Sequence, residues 1–222
     1  KSKQYGMNRP PGAASLAIAG PEVSQLFEKA FSREGTGGGR PTAREWAEDL
    51  GRLEADLQKW GVSSDKIIRF DWWQELKTDS ALIAFAPTQH FSGRGIGDGN
   101  NTLWGSWVIK TTAGSLYFSG DSGYFDGFKQ IGKKYGPFDI TLIETGAYDN
   151  DWADIHMTPE QSVQAHVDLK GQVMVPVHNA TFDLAFHSWY DPLERVSAAA
   201  RESGVTLLTP VFGQPISLMS LN

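Results

Sequence analysis

Cysteine is absent from the 222 residues of this chain. That excludes a disulfide framework, a thiolate nucleophile and a Cys-ligated metal, so any metal must be held by His, Asp or Glu. Long apolar runs are also lacking: none approaches the roughly 20 residues that cross a bilayer. The first residues, KSKQYGMNRPPG, have no apolar signal-peptide core. We therefore expect a chain without a transmembrane segment, in a cytoplasmic setting. Positive charge is not in excess either, since the formal net charge is −6, which argues against broad attraction to nucleic acid or anionic lipid. What is present is 40% hydrophobic and 12% aromatic residues, enough to bury a sizeable core.

Two textures divide the chain. In residues 1 to about 58, Val23, Leu26, Phe27, Ala30 and Phe31 recur at helical spacing after Pro21, and Trp46, Leu50, Leu53 and Leu57 mark the apolar face of a second helix. The intervening glycines, Gly35 and Gly37 to Gly39, lack the lysine and preceding strand of a phosphate-binding loop and read as a connector. PEVSQLFEKAFS followed by RPTAREWAEDLGRLEADL resembles the closing helices of a protein kinase C-terminal lobe, with Arg40 in the place of that lobe's ion-pairing arginine. No kinase chemistry accompanies it, because no glycine-rich strand loop, HRD or DFG occurs.

From about Lys59 onward, short strands alternate with helices. Ile67–Phe70, Ala81–Ala86, Trp104–Lys110, Ser115–Ser119, Ile140–Glu144 and Val173–Val177 read as strands. Phe125–Tyr135, Pro159–Leu169 and Pro192–Glu202 read as helices, with Thr158 and Gln161 forming a capping box before the second. This alternation predicts a layered α/β sandwich.

Three potential ligands follow apolar runs: His90 in PTQHFSGR, Asp121 in FSGDSGY and His178 in VPVHNATFD. Ligands so far apart in sequence converge only where a sheet brings strand ends to one edge, and their types suit a metallohydrolase site. Each alone also reads as a hydrogen-bonded structural residue or a turn former. His166, between Val163 and Val167 on a helix, reads as a packed imidazole, and Trp72, Trp73, Trp104 and Trp107 read as packing residues rather than a lipid-binding stripe. Arg94 suits either a phosphate contact or a structural ion pair.

The segments PTQHFSGRG with NNTLWGSWVI, LYFSGDSGY, ETGAYD with HMTPEQSVQAHVDL, and VPVHNATFDLAFH resemble the metallo-β-lactamase fold superfamily. Within it they are similar to the branch of N-acylphosphatidylethanolamine-hydrolysing phospholipase D. The resemblance runs from about Leu57 to the C-terminus. It implies that His90 binds one metal, Asp121 bridges two, His178 binds the second, and the metal is zinc, one ion or two. It places His156 in the cleft, holding a phosphate oxygen or assisting the leaving group, against the plainer reading of a helix-flanking loop histidine. His187, in DLAFHSWYD, is a further cleft residue. The substrate implied is a small-molecule or lipid phosphodiester.

The superfamily's HxHxDH ligand motif is absent: no two histidines are separated by one residue, and residues 1–56 contain no histidine. We expect a partial αββα metallo-β-lactamase-like sandwich in residues 57–222, preceded by a helical segment in residues 1–56. An incomplete second layer would leave apolar sheet surface to be covered, for instance by a homodimer. Hydrolase activity is expected to be impaired by the missing ligands. The alternative is a catalytically inactive fusion or interaction protein built from two domain fragments.

Overall fold

A run such as ALIAFAP has no polar residue to expose on either face, so it must lie inside a sheet. In the computed structural model, which describes residues 60–92, 100, 103–182, 184–211 and 213–217, it is strand β2 (Ala81–Pro87), flanked by β1 (Glu75–Lys77) and β3 (Gly105–Thr111). A short turn then returns the chain as β4 (Gly114–Phe118), antiparallel to β3. From there helices intervene and the pairing becomes parallel. The order is α1 (Gly127–Lys134), β5 (Phe138–Glu144), α2 (Pro159–Asp168), β6 (Gly171–Val177), α3 (Asp191–Glu202) and β7 (Thr206–Leu207). The described sheet has 7 strands in sequence order. It is a mixed α/β architecture, as expected from the sequence.

The register sorts the side chains. Val108, Tyr117, Thr141 and Met174 lie in line on one face, where Val108, Tyr117 and Met174 join Phe128, Ile131, Val163, Leu169 and Val196 in the main core cluster. Trp107, Phe118 and Leu142 fall on the other face, as do Ile109, Leu116, Ile140 and Val173. There Ile140 and Val173 are buried, whereas Ile109 and Phe118 are 37% and 39% exposed. Helix α2 begins at the expected capping box: Thr158 accepts from the Gln161 backbone N–H and Gln161 accepts from the Thr158 N–H.

Ile67–Phe70 is not a strand. Ile67 donates its N–H to Ser64 O at the end of a 3-10 turn (Ser64–Lys66), and Phe70 sets its ring edge against Trp107 at 5.2 Å. Aromatic packing and a turn thus use the apolar residues that suggested a strand. The chain divides into two compact units, one of residues 1–69 with 92–102 and one of residues 70–91 with 103–222. The helices expected in residues 1–56, and Arg94, lie outside the described residues. Among the described residues, no helix is long and apolar enough to cross a membrane.

Candidate active site

Antiparallel pairing of β2 with β3 and of β3 with β4, followed by parallel pairing through β6, points the C-terminal ends of β2, β4, β5 and β6 to one edge. The residues beyond those ends assemble there. His90 follows β2, Asp121 follows β4, Glu144 closes β5, and His178 directly follows β6. His156 arrives from the loop between a 3-10 turn (Asn150–Trp152) and α2.

The loops are knitted by backbone groups. Gly123 donates to Gln89 O at 2.9 Å, Gln89 N–H donates to Ser122 Oγ at 3.0 Å, and Gln89 Nε2 donates to Asp154 O at 2.8 Å. His178 has a positive φ of 61°, a strained conformation for a residue with a Cβ. Its carbonyl closes on Gly146 so tightly that a Cβ there would sit 2.1 Å away. Only glycine permits that approach.

The rings of His90 and His156 meet edge to face with centroids 5.3 Å apart, and those of His156 and His178 lie 5.5 Å apart. His178 Nε2 stands 3.4 Å from Asp121 Oδ1. His90 Nδ1 lies 2.7 Å from the Phe91 carbonyl; a carbonyl only accepts, so Nδ1–H donates and the neutral ring carries its lone pair on Nε2. Trp104 stacks on the same ring at 5.1 Å. His156 pairs through Nδ1 with Glu144 Oε1 at 2.9 Å.

Electrostatics follow from burial. Burial holds the His90 imidazole below its usual pKa, partly offset by the Phe91 carbonyl and the Asp121 charge. Burial likewise lowers His156, against the pull of Asp121. Glu144, fully buried, is raised well above the usual carboxylate range by the same cause, with the Ser122 N–H opposing it.

His187 occupies different ground. It stacks on Tyr148 at 4.2 Å and faces the Ser188 carbonyl through Nδ1 at 3.1 Å. It lines a cleft of about 320 Å³ with His178, Asn179 and Trp189. At this cleft His178 Nδ1, Asn179 Nδ2 and His187 Nε2 are buried without hydrogen-bond partners. Thus the structure brings His90, His156, His178 and Asp121 together, and places His187 beside His178 on the cleft side. Among the described residues, no three His, Asp or Glu side chains already surround one point as metal ligands.

Glu144 is the participant that sequence reasoning missed. Its signal was a carboxylate ending the mostly apolar run ITLI, which reads equally as the polar end of a strand.

Comparison with known proteins adds a family. Residues 39–179 match the family described as the Beta-lactamase superfamily domain. An uncharacterized Mycobacterium tuberculosis protein is 45% identical over 73% of this chain and 44% of its own length. N-acyl-phosphatidylethanolamine-hydrolyzing phospholipase D 1 of Caenorhabditis elegans is 30% identical over 60% of this chain and 42% of its own. A metal-dependent hydrolase of Pelotomaculum thermopropionicum is 33% identical over 60% and 56%. The chain therefore spans about half the length of these relatives. Among solved structures, Igni18, a metallo hydrolase from the archaeon Ignicoccus hospitalis, superposes with a TM-score of 0.55 at 19% identity, covering 77% of this chain and 74% of that one. That likeness speaks to the fold.

Proposed function

Because the chain belongs to the metallo-β-lactamase superfamily, whose domain it matches over residues 39–179, we propose that it is a metal-dependent phosphodiester hydrolase in which His90, Asp121 and His178 hold zinc. The observation that carries this reading is the convergence of those residues with His156 at one sheet edge, with the His178 Nε2 to Asp121 Oδ1 approach of 3.4 Å.

The donor set fits such a cation in its chemistry. Imidazole nitrogens and one carboxylate are zinc ligands, and His90 already has its Nδ1 engaged by a carbonyl, the arrangement that leaves Nε2 for a metal. A zinc ion bound there supplies Lewis acidity and a bound water of lowered pKa. The chain's own residues supply the rest. Trp104 shields one face of His90 from water, and His156, uncharged near neutral pH because burial lowers it, is placed to exchange a proton with a group in the cleft. His187 and Asn179 offer the cleft polar atoms that lack other partners, suited to the oxygens of a small-molecule or lipid phosphodiester. The reading includes a cytoplasmic setting. It also includes a homodimer covering Ile109 and Phe118, which sedimentation of the purified chain would reveal.

A second reading, an inactive fusion or interaction protein, is favoured by one observation: no three potential ligands among the described residues already share a point. Elemental mass spectrometry of the dialysed chain, beside His178→Ala and Asp121→Ala, decides between the two. We expect near-stoichiometric metal that is lost in both variants, with hydrolysis of bis(4-nitrophenyl) phosphate reduced roughly 100-fold or more. A metal-free, inactive wild type would establish the second reading instead.

A further inference from the structure

Glu144 ends a strand whose preceding residues are mostly packed into apolar surroundings. Placing a carboxylate there is costly, because a buried anion loses its water. Among the described residues, no Lys or Arg hydrogen-bonds or ion-pairs with its side chain. Instead every polar atom of the residue is tied down. Oε1 faces His156 Nδ1 at 2.9 Å, and Oε2 accepts the Ser122 N–H at 2.6 Å. The backbone N–H donates to Ser119 Oγ at 2.9 Å, and the carbonyl accepts from Ser162 Oγ at 2.6 Å. The two side-chain contacts orient the carboxylate, and the two backbone contacts, to the loop after β4 and to α2, hold the strand end that carries it.

That orientation constrains the histidine. One carboxylate oxygen already accepts from a backbone amide, and in its ionised form the carboxylate only accepts, so the hydrogen bond from His156 is then given by Nδ1–H; a Glu144 kept protonated by its burial would instead donate from Oε1 and leave the ring proton on Nε2. With the carboxylate ionised, the neutral ring carries its lone pair on Nε2. The ring lies between those of His90 and His178.

We propose that Glu144 is the positioning residue of this site, fixing His156 as the Nδ1–H tautomer so that its Nε2 lone pair is available to a proton donor in the cleft. Its consequence for turnover rests on the hydrolase reading, whereas the tautomer does not. The same carboxylate, through Ser122, also holds the backbone next to Asp121, so one buried group sets the geometry of two loops.

The test is long-range proton–nitrogen correlation spectroscopy of the 15N-labelled full chain at about pH 8, with His156→Gln identifying the His156 signals. Wild type is expected to show a protonated Nδ1 and an unprotonated Nε2. In Glu144→Ala the Nδ1–H form should fall from nearly all molecules to a minority. Glu144→Gln can accept from His156 or from Ser122 but not from both, so it should retain an intermediate share. The wild-type spectrum and Glu144→Gln decide the matter if Glu144→Ala does not fold. A protonated Nε2 in wild type, or a tautomer unchanged in a folded variant, overturns the proposal. With bis(4-nitrophenyl) phosphate, Glu144→Gln should lower kcat and leave KM unchanged. A wild type without turnover would count against the hydrolase reading while the tautomer result stood.

Discussion

His156 and His166 lie on either side of the Thr158 cap, and burial lowers the pKa of both, yet they belong to different chemistries. His166 sits on α2, 2% exposed, sharing a hydrogen bond of 2.7 Å with the neutral hydroxyl of Thr141. Its ring packs over Gly171, where a Cβ would come within 2.5 Å. The His156 side chain is 12% exposed, faces a buried carboxylate and adjoins two further imidazoles. Burial alone therefore does not mark a functional histidine. What sets His156 apart is an ionisable partner and an open side, features that cluster at functional sites.

The strongest way to break the comparison is pH. Burial pushes His166 down to about 4, whereas an unfolded histidine titrates near 6.5. Between those values the unfolded chain binds the proton and the folded chain does not, so stability is full above about pH 6.5, falls as pH drops, and levels off below about 4. The His166 share amounts to roughly 3 kcal/mol. Denaturant unfolding of wild type and His166→Gln should show wild type losing roughly 3 kcal/mol of stability relative to the variant as pH falls from about 6.5 to about 4; a constant difference would mean that the ring is not held neutral.

Glycines sharpen the contrast next. Gly171→Ala would press on the His166 ring, and we expect a loss of about 2 kcal/mol with bound metal unchanged. Gly146→Ala would press on the His178 carbonyl and should reduce metal content instead. Equal effects of the two variants on metal content would erase the distinction between core and site. The smallest effect is expected from Thr158→Ala, which removes the cap of the helix carrying His166 and should cost about 1 kcal/mol in unfolding free energy, again without changing bound metal.

Strands β2 to β6 and all three described helices were legible from apolar runs, turn residues and a capping box, because those signals are local. Strands β1 and β7 were not, since three and two residues carry no measurable alternation. Ile67–Phe70 misled because apolar content without a paired neighbour does not make a strand. His90, Asp121 and His178 could be nominated from their places after strand-like runs. His187 could be nominated too, but its stacking on Tyr148, apart from the other histidines, could not be foreseen.

The sequence by itself determined the order of strands β2 to β6 and of the three helices and the chemical types available to a site, since these are written in local pattern and composition, while its motifs carried the resemblance to the family. The tertiary structure alone decided that Glu144, rather than solvent, meets His156, and that Ser122 holds the other carboxylate oxygen. Those partners lie 12 and 22 residues away along the chain. Only the parallel stacking of β4 and β5, and the burial that follows from it, brings such groups within hydrogen-bonding distance and makes their orientation unique.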